Sequence, residues 1–319
     1  MLSAAFILNP AVFDDVYGPV LPRLRRTARI AFGPAEHPGP LDGVDVLCTS
    51  WGAPVLDQKL LDAAPDLKLV LYAAGSVRRI VTPEFWARGI PIVSAYRANA
   101  VPVADFTFAQ IIYALKQGWR YVLRARETRA PVERLPMPGT YGTRVGLLSL
   151  GAIGRMVADR LAALDVEVVA HDPYAGPYGS VRMVGIEELF GTCDVISVHT
   201  PLLPATTGLV TGELLSLMRE NATLINTSRG AVLDEPALVE VLGERPDLFA
   251  VLDVTDPEPP APGSPLFTLP NVVLTPHIAG SLGRERGRLG ELVVEELERF
   301  ATGRALRHAL DEEAAARLA

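Results

Sequence analysis

Runs of Val, Ile and Leu without polar alternation recur along the 319-residue chain, separated by amphipathic stretches. No other feature constrains the fold as tightly. A strand that is apolar on successive side chains must be covered on both faces, as inside a parallel sheet with helices above and below it. In the first hundred residues such runs lie at 4–8, 44–48, 67–72 and 90–93, with helical patterns at 55–63 and 83–88. A second series follows at 145–150, 166–170, 195–198, 223–226, 249–251 and 272–274, with helical patterns at 153–164, 213–218 and 235–242. Two such series predict an α/β protein of two doubly wound parallel-sheet domains. The length agrees, since a domain takes roughly 150 residues.

Between the two series, residues 104–126 read as one long helix, and the Pro- and Arg-rich stretch 129–142 as an arm. Residues 285–304 read as a long amphipathic helix, followed by a polar, Ala-rich tail at 311–319. The net charge of −7 argues against a nucleic-acid or anionic-membrane partner. The five arginines at 120, 124, 126, 129 and 134 therefore read as a solvated or salt-bridged face. No run approaches the roughly 18 continuous apolar residues of a membrane span. The apolar start breaks at Pro10 without a basic leader, which reads as a first strand and not a signal peptide. Cys48 and Cys193 are expected as buried thiols of a cytoplasmic protein.

The sharpest local signal is the series Val145, Gly146, Leu147, Leu148, Ser149, Leu150, Gly151, Ala152, Ile153, Gly154. A strand runs into a glycine turn and then a helix, the arrangement that binds a dinucleotide pyrophosphate on backbone N–H groups and the helix dipole. Gly151, Ala152, Ile153 and Gly154 are the expected phosphate-side residues. The first motif glycine is replaced by Ser149. The next strand ends at Asp172, eighteen residues after Gly154 (172 − 154). A carboxylate there accepts from adenosine ribose hydroxyls and repels a 2′-phosphate, so NAD is expected in preference to NADP.

Three further segments follow in order: Asn226, Thr227, Ser228, Arg229, Gly230; then Asp253 through Glu258; then Thr275, Pro276, His277, Ile278, Ala279, Gly280. Together with His199, Thr200, Pro201, Leu202, with Thr206, Thr207, Gly208, and with Asn99 through Asp105, they make the chain resemble the D-isomer-specific 2-hydroxyacid dehydrogenase family. Reduction of a 2-oxo acid needs a hydride at the carbonyl carbon, a proton at its oxygen and a cation for the carboxylate. Arg229 offers a planar fork of donors, His277 a proton donor, and Glu258 a carboxylate that would favour the charged imidazole. The resemblance implies these same catalytic roles for Arg229, Glu258 and His277. It also implies cofactor contacts at Thr200, Pro201, Thr206, Thr227, Ser228, Arg229, Asp253, His277 and Gly280, with Asp253 near the nicotinamide.

The resemblance further implies a Rossmann NAD domain at 99–284 inserted into a flavodoxin-like substrate domain at 1–98 and 285–319, with the reaction in the cleft between them. A small 2-oxo or 2-hydroxy acid is the expected substrate, and a homodimer the expected assembly. In the family a glycine-rich loop binds the substrate carboxylate through its backbone. Here that loop reads Ala73, Ala74, Gly75, Ser76, Val77, Arg78, Arg79, Ile80. Ser76 and Val77 carry the backbone role, and Asn99 and Arg78 are placed with the substrate group. The Arg78–Arg79 pair reads either as solvated or salt-bridged at a helix start, or as a cationic contact from one of the two to a second anionic group of the substrate. Two rival readings on the same scaffold are an NAD-sensing corepressor-like protein and phosphite-type oxidation. The Glu258–His277 pairing disfavours formate chemistry, which looks for Gln at that carboxylate. No cluster of His, Cys and carboxylates has ligand spacing, so no metal is expected.

Overall fold

In the computed structural model, which describes residues 1–318, the apolar runs become strands buried on both faces. The chain divides into two units, one of Met1–Asn99 with Ser281 onward, the other of Ala100–Gly280. In the first unit β1 (Leu2–Ile7), β2 (Ala28–Ala35), β3 (Val46–Thr49), β4 (Leu69–Tyr72) and β5 (Ile92–Ser94) form a parallel sheet in the order β5-β4-β3-β1-β2. That order is the flavodoxin-type doubly wound arrangement. The short strand Ala309–Leu310 adds antiparallel to β5.

Sequence patterning passed over β2. Its residues alternate in burial, and it carries Gly33 and Pro34. A proline cannot donate to a ladder, so such a strand is tolerated at an edge, where β2 sits. The expected helix at 285–304 is a 3-10 turn, Gly283–Arg286, followed by the helix Gly287–Ala301. The helix buries Leu289, Val293, Val294 and Leu297 against Phe6, Tyr17 and Leu24. Glu296, buried in the same helix, accepts from the Arg307 and His308 amides and so holds the turn that enters Ala309–Leu310. The tail is not merely polar. Asp311 caps a helix at Glu312–Arg317 by accepting from the Ala314 amide, while Ala319 lies outside the described residues.

The second unit holds β6 (Tyr141–Leu148), β7 (Asp165–His171), β8 (Arg182–Met183), β9 (Val195–Val198), β10 (Thr223–Asn226), β11 (Phe249–Leu252) and β12 (Val272–Leu274). They form one parallel sheet in the order β12-β11-β10-β9-β6-β7-β8. The order reverses between β6 and β9, and the carboxyl ends of strands at such a switch point are where open α/β sheets bind ligands. Apolar cores cover both faces, one around Phe190, Leu224 and Leu252, the other around Val145, Ile225 and Val251.

The single helix expected at 104–126 is two helices, Tyr96–Leu115 and Gly118–Thr128. They break at Gln117, which takes a left-handed φ of 54°. Beyond the break Trp119 donates to Gln110 and meets Tyr113 edge-on at 5.0 Å, so tertiary packing overrides a continuous helical pattern. Tyr96–Leu115 is long and apolar enough by composition to cross a membrane. Its Ala104, Ile111, Ala114 and Leu115 pack in the core of the second unit. Cys48 and Cys193 are buried and unpaired.

Gly290, in Gly287–Ala301, lies against the chain at Val16, and a Cβ there would overlap the Val16 carbonyl oxygen. Alanine gains roughly 1 kcal/mol in helix propensity, whereas overpacking against fixed backbone costs about 1–3 kcal/mol. Gly290→Ala is therefore expected to lower the unfolding free energy in urea melts; an unchanged or higher midpoint refutes the contact.

Candidate active site

The turn after β6 is built by backbone contacts. Gly151 caps the helix Ala152–Leu161 without any side-chain hydrogen bond, which leaves the first-turn N–H groups without a side-chain cap. A Cβ at Gly151 would meet no atom within 4 Å, while one at Gly154 would overlap the Ser149 carbonyl. There is thus open space in front of the turn and none behind it, as a pyrophosphate cradle at a helix N-terminus requires. Asp172 at the end of β7 accepts from the Leu150 amide at 2.8 Å through Oδ2, and from the Tyr174 and Ala175 amides at 2.8 and 3.1 Å through Oδ1. A carboxylate offers about four acceptor positions, so its tie to the turn is compatible with ribose hydroxyls. These residues fit an NAD-type dinucleotide.

Beside this turn lies the exit of β9. The buried Thr200 hydroxyl is 2.9 Å from Ser149 Oγ and 3.3 Å from the Leu148 carbonyl. Thr206 accepts from the Leu203 amide and donates to the Pro201 carbonyl, so its hydroxyl shapes the loop. His199 is 8% exposed, its Nε2 is 3.0 Å from Ser197 Oγ, and its Nδ1 has no hydrogen-bond partner. Burial pushes its pKa down from 6.5 to about 4, so the ring is a neutral packing element under Gly154.

Arg229 follows β10. Asn226 Oδ1 accepts from the amide and hydroxyl of Ser228 at 3.0 and 2.8 Å, and its Nδ2 donates to the Arg229 carbonyl at 3.0 Å. The Arg229 guanidinium donates to the Ser228 carbonyl at 2.6 Å. The Thr227 hydroxyl is paired with that of Thr107 at 2.8 Å. Gly230 leaves no room for a Cβ against the Thr255 backbone, which brings the Arg229 segment onto the loop leading to Glu258. Asn226 is the residue whose part in the site the sequence reading missed. Its signal was present, since an Asn followed two residues later by Ser favours a side-chain-to-backbone turn.

Asp253, 2% exposed at the end of β11, governs the next turn. Its Oδ1 accepts from the Thr275 hydroxyl at 2.6 Å and the Ile278 amide at 2.9 Å, and its Oδ2 from the Ala279 amide at 2.9 Å. Its carbonyl accepts from the His277 amide at 2.9 Å. His277 takes a left-handed φ of 53°, and its Nδ1 lies 2.6 Å from Glu258 Oε1. Nε2 is then the ring nitrogen left to exchange a proton with a ligand. Gly280 closes the second unit. Arg229, Asp253 and His277 thus come from the carboxyl ends of the neighbouring strands β10, β11 and β12, and Glu258 reaches His277 from the loop after β11.

In the first unit, the Ser76 hydroxyl donates to the Leu318 carbonyl, Val77 is fully buried, and Arg78 and Arg79 are exposed. Asn99 accepts from the Ser281 amide at 3.0 Å, and its Nδ2 lies beside Gly75.

The depressed pKa of His199 has a sign. Between pH 6.5 and about 4 the unfolded chain takes up a proton that the folded chain refuses, so stability is lost as pH falls through that window. Urea melts at stepped pH are expected to show this slope reduced in His199→Asn; parallel curves would remove the assignment of a buried neutral ring.

The profile described as D-isomer specific 2-hydroxyacid dehydrogenase, NAD binding domain, matches residues 108–279. The D-3-phosphoglycerate dehydrogenase of Archaeoglobus fulgidus is 30% identical over 260 residues, covering 80% of this chain and 49% of that protein. The glyoxylate reductase of Korarchaeum cryptofilum is 34% identical over 260 residues, covering 78% of this chain and 77% of that protein. Among solved structures, the TT0316 protein of Thermus thermophilus superposes with a TM-score of 0.77 at 31% identity, covering 97% of this chain and 100% of that one. The chain spans about half the length of the curated phosphoglycerate dehydrogenases it matches. On the matched profile and these likenesses, the chain belongs to the D-isomer-specific 2-hydroxyacid dehydrogenase family.

Proposed function

We propose that the chain catalyses the NAD(H)-linked interconversion of a small 2-oxo acid and its D-2-hydroxy acid. The observation that carries this reading is the 2.6 Å pairing of His277 Nδ1 with Glu258, which lies on the loop after β11, the strand beside the one that leads to Arg229. NADH, which the glycine turn at Gly151–Gly154 and Asp172 would hold, would supply the hydride for the carbonyl carbon. The Arg229 guanidinium, steadied by its own Ser228 carbonyl, holds carboxylate and carbonyl oxygens in one plane and stabilises the charge that develops on the carbonyl oxygen. As the carbonyl π bond breaks, His277 Nε2 delivers the proton to that oxygen and is later reprotonated from solvent. Glu258 accepts from Nδ1 and fixes the ring and its tautomer. In the oxidative direction the same imidazole takes the hydroxyl proton.

Asp172 supports NAD over NADP as the preferred cofactor. The relatives include both phosphoglycerate and glyoxylate enzymes, which differ in whether the substrate carries a second anion. We assign a doubly anionic 2-oxo acid to this chain on the exposed Arg78–Arg79 pair, which stands where the family's loop carries Asp and Asn. The helix Gly118–Thr128 has no fully buried residue and leaves Tyr121 and Val122 only half-buried, while Trp119 and Leu123 pack inward, which supports a homodimer. The buried, unpaired Cys48 and Cys193 support a cytoplasmic enzyme, and the net charge of −7 argues against nucleic-acid or anionic-membrane partners.

A panel of 2-oxo acids with NADH and NADPH, followed at the nicotinamide absorbance, tests the reading. Turnover is expected with NADH, lowered about 10²–10⁴-fold in His277→Ala. Arg229→Lys, which keeps the charge and loses the fork, is expected to fall by at least about tenfold in kcat/KM. NADH binding without turnover on any acid would favour the NAD-sensing alternative. For the substrate class, Arg78→Ala is expected to lose kcat/KM on doubly anionic acids and keep it on glyoxylate. An equal effect on both, or none, discards the second-anion assignment.

A further inference from the structure

The residue at the first motif position of the glycine turn is not a glycine, and three contacts immobilise it. Ser149 adopts φ 77°, in the left-handed region that disfavours a side chain. Its amide donates to the His171 carbonyl at 2.8 Å, tying it to β7. Its carbonyl lies against Gly154, where no Cβ would fit. Its hydroxyl meets Thr200 Oγ1 at 2.9 Å, tying it to the exit of β9. Thr200 Oγ1 in turn lies 3.3 Å from the Leu148 carbonyl, which has no proton to give. The assignment that satisfies both contacts has Ser149 donating to Thr200 and Thr200 donating to Leu148. A non-glycine residue in this region costs on the order of 1 kcal/mol and persists where its surroundings over-determine it. Here the conformation a glycine adopts freely is held by a side-chain bond to a second hydroxyl on a neighbouring strand.

We propose that Ser149 and Thr200 form a hydroxyl clamp that sets the shape of the pyrophosphate-binding turn and so helps determine dinucleotide affinity, with Ser149 a positioning residue. The clamp ties the exit of β6 to that of β9, while the Leu150 amide to Asp172 ties it to β7. The three strand ends around the turn are thereby linked before any cofactor arrives. Without the clamp, the amides of the first helical turn must be ordered on binding, and that cost appears as weaker affinity. The inference rests on the dinucleotide reading of this turn.

Fluorescence titration of NADH and competition by ADP-ribose, run beside thermal melts of the free protein, test it on Ser149→Ala, Thr200→Val, the double variant, Thr200→Ser and Ser149→Gly. Ser149→Ala and Thr200→Val are each expected to weaken NADH about five- to tenfold, the range of one lost hydrogen bond, and the double variant no further. ADP-ribose, which has the pyrophosphate and no nicotinamide, should weaken in parallel. Thr200→Ser, keeping the hydroxyl, should weaken NADH less than Thr200→Val does. Ser149→Gly removes strain and clamp together: it should melt no lower than the wild type and still bind NADH at least about threefold more weakly. The clamp is refuted if Ser149→Ala or Ser149→Gly binds within twofold of wild type, if the single losses multiply, or if ADP-ribose is unaffected. If the wild type binds no NADH, the cofactor reading falls and this inference with it.

Discussion

Three donors converge on the carboxylate of Asp253: the Thr275 hydroxyl and the Ile278 and Ala279 amides. A buried carboxylate is tolerated only when its acceptor positions are filled, and charge-assisted bonds to backbone amides fill them strongly. The donors all belong to the turn after the neighbouring strand, so satisfying Asp253 means winding that turn around it. His277 lies in the middle of the turn, in a left-handed conformation that an isolated histidine would rarely hold. The placement of its ring thus follows from electrostatics one strand away. Glu258, reaching the ring from the loop after Asp253, completes a unit in which one carboxylate shapes the backbone and the other orients the side chain.

The same division of labour runs through the rest of the site. Asn226 winds the chain around Arg229, Thr206 folds the loop after Pro201, and Asp172 fastens the glycine turn. Thr227 and Ser228 spend their hydroxyls inside the fold. Several polar residues that a motif marks as ligands also fix backbone amides or a neighbouring side chain. Such sites tolerate little slack, because a shift in a supporting bond moves the group that does the chemistry.

Much of this was legible in the residues. Unbroken apolar runs marked the central strands of both sheets, since burial on both faces leaves no place for polar alternation. The segments around Gly151, Arg229 and His277 stood out because their chemistry is carried by residue type at short spacing. What failed did so for physical reasons. The edge strand β2 has one face in water and a proline in its ladder, so its pattern resembles a loop. The helical periodicity at 104–126 is real on both sides of Gln117, and only the packing of Tyr113 on Trp119 shows where it breaks. The capped helix in the tail has too few residues for periodicity to register.

The covalent order of residues determined which strands are interior, where the glycine turn begins and which side chains bring an imidazole, a carboxylate or a guanidinium to the strand ends. Those properties are local, set by apolar patterning, glycine and intrinsic acid–base character. Strand order decided the rest. Placing β10, β11 and β12 side by side gives Asp253 its donors and His277 its carboxylate, and placing β6 beside β9 gives Ser149 its hydroxyl partner fifty-one residues away. Hydrogen bonds of that span depend on which chain ends meet in space, and nothing in the neighbouring sequence of either partner encodes the meeting.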